Sequence, residues 1–220
     1  MSLPPVDAVC FDLDGLMFNT EDIFNDVGVE VLRRRGKLYT PELVNLMMGR
    51  RAQEAIQAMI DYHQLADDTV DGLIAESWGL FDELLGDRLA PMPGLHELLA
   101  AIETAGRPKA VATSSGRPYL EKVLGLFDLL PRFAFTLTSG DVTHGKPHPE
   151  IYLSAAERLG VSPGRMLVLE DSVNGSLAGR EAGAVVVAIP TVHSRHQDYS
   201  HATLVAERLD DPRILRLFGG

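Results

Sequence analysis

The chain has 220 residues, a formal net charge of -11 and a single cysteine. That length suits one large domain, or a core domain with a smaller insert, and the sequence holds no run of about eighteen apolar residues that would span a membrane. The acidic balance argues against nucleic-acid backbone binding, which needs a basic footprint, but a metal ion and a few local donors are enough to hold a small anion.

The opening Met1-Ser2-Leu3-Pro4-Pro5 lacks the basic and apolar stretches of a signal peptide. Residues 7–11 read as a short buried strand that carries the lone Cys10, a structural thiol expected in a reducing, cytoplasmic setting. Beyond Gly15 the pattern turns helical. Asn19 or Thr20 is placed to cap a helix carrying Ile23, Phe24, Val27, Val31 and Leu32. Pro41 suits the first position of a second helix starting near Thr40. Helical patterns follow over 52–62 and 69–85, so residues 17–88 are almost wholly helical.

After Pro91-Met92-Pro93-Gly94 the pattern alternates. Helices are expected over 96–104, 118–125, 149–159 and 174–182, and strands over 109–113, 133–137, 166–169 and 184–189. A short strand near 203–205 and a helix over 212–218 close the chain. Alternating strands and helices imply an α/β fold: a Rossmann-like, mostly parallel sheet with helices on both faces. The simplest division is a core of residues 1–16 and 89–220, broken after its first strand by an all-helical domain of residues 17–88, with hinges near 15–20 and 87–92.

The chemistry gathers at the expected strand ends. Asp12 and Asp14 leave the first strand two residues apart, so both side chains point one way. Like charges that close need a cation or a shared proton. Thr113-Ser114-Ser115-Gly116 follows the second strand, Lys146 precedes a helix, and Glu170-Asp171-Ser172 follows a later strand. Singly, each has a plainer reading: turn caps for the acidic pairs, a helix cap for the hydroxyls, solvated surface for the lysine. In a parallel sheet all four sets share one rim, where function gathers, and that common placement outweighs the plainer readings. Asp12, Asp14, Glu170 and Asp171 suit a hard divalent cation, magnesium first, through carboxylates, a carbonyl and waters. Thr113, Ser114 and Ser115 suit a phosphate or carboxylate anion, and Lys146 adds a point charge. One carboxylate would then attack phosphorus while its neighbour carries protons.

These residues resemble the motifs of the haloacid dehalogenase superfamily, in the branch with a helical cap inserted after the first strand. Phe11-Asp12-Leu13-Asp14-Gly15 is similar to its first motif and Ala112-Thr113-Ser114-Ser115-Gly116 to its second. Lys146 in His144-Gly145-Lys146-Pro147 is similar to the third, and Leu169-Glu170-Asp171-Ser172 with Gly175 to the fourth. The resemblance implies Asp12 as the nucleophile that forms an aspartyl-phosphate, and Asp14 as general acid/base with its carbonyl on magnesium. It implies Asp171 as a metal ligand, and Glu170 on the metal directly or through water. Thr113 and the Ser114 amide would hold the phosphoryl group, with Lys146 assisting. Asp14 favours phosphoryl transfer over dehalogenation, because a halide leaves without an acid. Relatives carry aspartate where this chain has Asn19, a change expected at the hinge or at Asp14.

The expected substrate is a small phosphorylated sugar or nucleoside, by similarity to the group holding pseudouridine-5'-phosphatase and 2-deoxyglucose-6-phosphate phosphatase. The loop Met47-Met48-Gly49-Arg50-Arg51-Ala52-Gln53 resembles the cap loop that faces the site, making Gly49, Arg50 and Arg51 candidate leaving-group contacts. The alternative is a sugar phosphomutase like β-phosphoglucomutase, whose cap arginine falls on Ala52 here. No nucleic-acid or membrane partner is expected, and a monomer is expected with a dimer left open. His144 and His148 flank Lys146 without an obvious third metal ligand, and His193, His196 and His201 form a polar segment of unassigned role.

Overall fold

The computed structural model describes residues 3–219. The chain opens with β1 (Ala8–Phe11) and then makes the helices α1 (Thr20–Arg33), α2 (Pro41–Met47), α3 (Ala52–His63) and α4 (Val70–Leu85). Alternation follows: α5 (Leu95–Thr104), β2 (Lys109–Ala112), α6 (Arg117–Gly125), β3 (Phe135–Leu137), α7 (Glu150–Leu159), β4 (Met166–Glu170), α8 (Val173–Glu181), β5 (Val185–Ala188), β6 (Leu204–Val205) and α9 (Pro212–Leu215). The strands form a parallel sheet in the order β3-β2-β1-β4-β5-β6. The α/β reading of the sequence therefore holds.

Strand side chains alternate between the two faces, and the core divides accordingly. Val9, Phe11, Val111, Leu167 and Leu169 pack with Leu98, Leu99, Leu120 and Val123 of α5 and α6. Cys10, Ala112, Met166 and Val168 pack on the other face with Ile151, Tyr152, Ala155 and Ala178 of α7 and α8. Strands buried on both faces need continuous apolar runs, which is why Ala8–Phe11 and Met166–Leu169 contain no alternation of polar residues. Burial pushes the Cys10 thiol up, away from its reactive form.

The helical insert has its own packing. The helix α1 lies against α4, and α3 against both α2 and α4. Thr40 and Thr69 cap α2 and α4 by accepting from Leu43 N–H and Gly72 N–H, and Pro41 sits at the helix start as expected. Arg35 at the end of α1 reaches Asp68 at 2.7 Å and Glu76 at 2.8 Å, tying α1 to α4.

Asn19 differs from the expectation that it caps α1: its side chain makes no capping bond there. Its amide instead bridges the two crossings. Nδ2 donates to Arg88 O at 3.0 Å and Oδ1 accepts from Ala90 N–H at 2.7 Å. Backbone bonds from Asn19 N–H to Ala90 O and from Met92 N–H to Met17 O lie alongside. An aspartate could accept there but could not donate, so the amide suits this bridge better than the acid would. Two ends also differ. The third strand begins at Phe135 because a short 3-10 turn over Leu130–Arg132 ends on Phe133, whose N–H donates to Leu130 O and whose ring packs edge-on against Phe11, 5.9 Å between centroids. The last helix ends at Leu215 rather than near 218.

Replacing Asn19 by aspartate removes the bond to Arg88 O and sets a carboxylate against a carbonyl. The expected cost is about 0.5–1.5 kcal/mol, read as a lower denaturant midpoint, with faster amide exchange confined to the two crossings.

Candidate functional site

The strand order reverses at β1: the chain builds β2 and β3 on one side of it, then β4, β5 and β6 on the other. Ligands of open α/β sheets bind at the carboxyl ends of the strands at such a switch point. Asp12 follows β1 directly, Thr113 follows β2, and Glu170 ends β4. Asp12 N–H donates to Leu169 O and Thr113 N–H to Leu137 O, both at 3.0 Å, so the ladder holds each residue one step beyond its strand.

Lys146 closes this rim. Its ammonium donates to Asp12 Oδ1 at 2.5 Å, to Glu170 Oε1 at 2.6 Å and to Ala112 O at 3.0 Å. It thus contacts three adjacent strands at once. The Tyr152 ring lies 5.0 Å away, and its hydroxyl donates to Glu170 Oε1 at 2.6 Å. Burial opposes the charge on Lys146, but Asp12 and Glu170 more than offset it and hold its pKa above the usual value. Glu170 Oε2 accepts from Ser172 N–H and Ser172 Oγ. A Cβ at residue 175 would run into the Glu170 carboxylate, so glycine is needed there for the close approach.

The remaining acid is concentrated and under-compensated. Asp12, Glu170 and Asp171 are all buried, and each offers an oxygen within 4.8 Å of the others. Burial pushes the Asp12 and Asp171 carboxyls well up. Glu170 and Asp14 add to the rise at Asp12, while Glu21, Asp12 and Glu170 add to it at Asp171. Asp171 Oδ2 is buried with no hydrogen-bond partner, and Asp12 Oδ2 has no protein donor among the described residues. Tyr199 Oη and Ser194 Oγ donate to Asp171 O at 2.6 and 3.0 Å and fix the backbone beneath it. Gly15, at φ +73°, turns the chain after Asp14 past the Asp171 carboxylate, where no Cβ would fit. Such an all-oxygen set with an orphaned carboxylate oxygen fits a hard divalent cation.

Asp14 takes a different place from the other acids. Its carboxylate accepts from Tyr119 Oη at 2.5 Å, from Ser115 Oγ at 2.7 Å and from Thr113 Oγ1 at 3.2 Å. It lies outside the three-carboxylate cluster. Ser115, expected to bind the anion, spends its hydroxyl on Asp14. A tyrosine in an apolar-periodic helix reads as core, and only the fold brings Tyr119 to Asp14.

The helical insert and the core enclose a cavity of about 330 Å³ above this rim, lined by Asp12, Asp14, Thr113, Ser114, Lys146 and Asp171 from the core. Gly49 and Arg50 line it from the insert, as does Gln53. Arg51, expected at the leaving group, is committed elsewhere. Its guanidinium donates to Ser139 O, Val142 O and Thr143 O at 3.1, 2.7 and 3.1 Å. Two more bonds join the same loop to the core: Ser114 Oγ to Gly49 O at 3.1 Å and Asn174 Nδ2 to Met48 O at 2.9 Å. The loop is therefore fastened by the Arg51 side chain and by its own Met48 and Gly49 carbonyls.

The histidines lie apart from the rim. His144 and His148 stack at 4.5 Å, and Glu150 supplies the third neighbouring ligand-type atom that the spacing had not revealed. His193 and His196 reach Asp22 at 2.8 Å and Asn45 at 3.1 Å, on α1 and α2.

Comparison with known proteins agrees with this geometry. A bifunctional riboflavin kinase/FMN phosphatase of Arabidopsis thaliana is 31% identical over 208 residues, covering 94% of this chain and 54% of that protein. This chain thus spans about half the length of that relative. A probable pseudouridine-5'-phosphatase of Drosophila melanogaster is 32% identical over 207 residues, covering 91% of this chain and 89% of that protein. Among solved structures, a HAD family hydrolase from Deinococcus radiodurans R1 with bound phosphate and sodium is 30% identical, with a TM-score of 0.71. The match covers 93% of this chain and 92% of that one. The model of haloacid dehalogenase-like hydrolases matches residues 6–183, and this chain belongs to that enzyme family.

Proposed function

We propose that the protein is a magnesium-dependent phosphomonoester hydrolase that acts on a small phosphorylated sugar or nucleoside through an aspartyl-phosphate on Asp12. The observation that carries this reading is the Asp12 carboxylate itself. It stands at the switch point with one oxygen on Lys146 and the other without a protein donor among the described residues. Asp12 and Asp171 would hold the metal with the Asp14 carbonyl, and Glu170, whose oxygens already carry Lys146, Tyr152 and Ser172, would act on it from behind. When bound, the metal supplies positive charge that offsets repulsion between Asp12 and the phosphoryl oxygens.

The protein's own groups then divide the work. Asp12 forms a bond to phosphorus as the bond from phosphorus to the alcohol oxygen breaks. Asp14 hands that oxygen a proton, and later takes one from the water that attacks the aspartyl-phosphate and releases phosphate. Thr113 and the Ser114 backbone amide orient the transferring group, and Lys146 shares its negative charge. Residues 17–88 serve as the cap that keeps bulk water out during the first step. A phosphomutase would need a second anion site in the cap. Arg51, next to the mutase position at Ala52, is occupied by core carbonyls, which favours the hydrolase. A small phosphate ester is the only partner this reading requires. Among the described residues, no helix is long and apolar enough to cross a membrane.

Asp12→Asn is expected to abolish magnesium-dependent phosphate release from a panel of sugar and nucleoside monophosphates, while keeping the fold. Full activity in that variant would remove Asp12 from the role.

Tyr119→Phe keeps the ring and removes one donor from Asp14. The expected result is a fall of about tenfold in kcat with little change in KM.

Metal linkage gives a test without turnover. Raised carboxyls hold their protons more tightly in the folded than in the unfolded protein. Their contribution to stability is full below the ordinary carboxylate range and is lost as pH rises through the raised values. Magnesium competes with those protons, so its gain in Tm is expected to grow as pH rises above the ordinary carboxylate range. A chelator should cancel the gain. A pH-independent gain, or none, contradicts the assignment.

A further inference from the structure

The cavity changes character along its length. At the rim it is lined by carboxylates, hydroxyls and Lys146. On the side of the helical insert it is walled by Phe24, Tyr39, Met47, Ile56, Ile74 and Trp78. All of these but Ile56 are only partly buried, although each packs on the main apolar core. A closed core would cover them, and the surface they leave open borders the cavity. The aromatic walls are fixed by their neighbours: Trp78 packs edge-on to Phe24 at 6.1 Å and to Phe81 at 5.6 Å, and lies 5.1 Å from Tyr119. These rings come from α1, α4 and α6 and hold one another in place.

The polar side chains on the insert side are few. Glu21 lies close to the rim, its Cγ next to Gly15. Arg50 is exposed. Gln53 and Ser77 are the others with a polar group beyond the Tyr39 hydroxyl. A sugar phosphate carries a hydroxyl on nearly every carbon, and in such a pocket most would lose water without finding a partner. A flat, unsaturated ring would instead replace water against Trp78, Tyr39 and Phe24 and gain edge or stacking contact. The volume, about 330 Å³, lies at the small end of ligand sites, enough for a phosphoryl group and one compact body.

From this polarity we infer that the preferred substrates are phosphate monoesters of alcohols whose distal half is a flat aromatic or heteroaromatic ring, with polyhydroxylated sugar phosphates disfavoured. The inference rests on the hydrolase reading above and narrows it. The reaction is unchanged: the ester's alcohol oxygen leaves phosphorus with a proton from Asp14, and water completes phosphate release.

Benzyl phosphate and erythritol 4-phosphate make a matched pair, since both release a primary alcohol of modest size and differ in what faces the insert. Uridine 5'-monophosphate and ribose 5-phosphate make a second pair with the same reacting end. With magnesium present, kcat/KM is expected to favour the ring-bearing member of each pair by about tenfold or more. Ile74→Gln puts a polar group into the apolar wall and should lower kcat/KM for benzyl phosphate while raising it for erythritol 4-phosphate, and an unchanged ratio would overturn the ring preference. Trp78→Ala, with its fold checked by circular dichroism, should lower the ring preference further, and an unchanged preference in the folded variant would overturn it.

Binding separates the two readings. Calorimetry on Asp12→Asn protein with benzyl phosphate and erythritol 4-phosphate tests the pocket without chemistry. Tighter binding of benzyl phosphate with no turnover of any ester by the wild type would overturn the hydrolase reading and leave the pocket's preference standing. Equal or tighter binding of erythritol 4-phosphate, or its faster hydrolysis, would overturn the ring preference and leave the hydrolase intact.

Discussion

One buried ammonium organises the switch-point rim of the sheet. Lys146 reaches Asp12 after β1, Ala112 O at the end of β2 and Glu170 at the end of β4. Burying a cation is costly, and burying carboxylates together is costlier still, but the two requirements offset each other when the geometry is tight. Lys146 and Glu170 are both essentially inaccessible, so neither can turn to solvent if the other is lost. The pairing also sets local sequence. Tyr152 and Ser172 supply the further donors that Glu170 needs, and Gly175 leaves the room its carboxylate occupies.

This arrangement leaves an excess of negative charge. One lysine cannot balance Asp12, Glu170 and Asp171, and the orphaned Asp171 Oδ2 marks where compensation is missing. Asp14 escapes the conflict because three hydroxyls draw its carboxylate to the side. Two aspartates two residues apart therefore have different surroundings: one is buried against a cation, the other is held by neutral donors. That division suits a nucleophile and a proton carrier, which must not share a single environment.

The helical insert joins the core through side-chain pairs such as His193 with Asp22 and His196 with Asn45, and through bonds that end on backbone carbonyls. Met48 O, Gly49 O and the carbonyls of Ser139, Val142 and Thr143 take the bonds that fasten the loop, and Asn19 joins the two crossings. Tyr119 links the rim to the space above it: its hydroxyl holds Asp14, while its ring packs on Phe24 and Trp78 of the cavity wall.

The sequence alone determined the order of strands and helices, because apolar runs bounded by Gly and Pro report burial locally. It also marked Asp12, Thr113, Lys146 and Glu170-Asp171, since residues that follow strands of a parallel sheet must share a rim. Tertiary structure decided what spacing cannot encode. Tyr119 meets Asp14 across 105 positions of chain, Arg51 turns from the cavity to core carbonyls, Asn19 leaves its helix to bridge the crossings, and Phe24, Tyr39 and Trp78 line a space instead of closing it. In each case the side chain has two plausible partners, and the choice depends on which distant backbone the fold brings within about 3 Å.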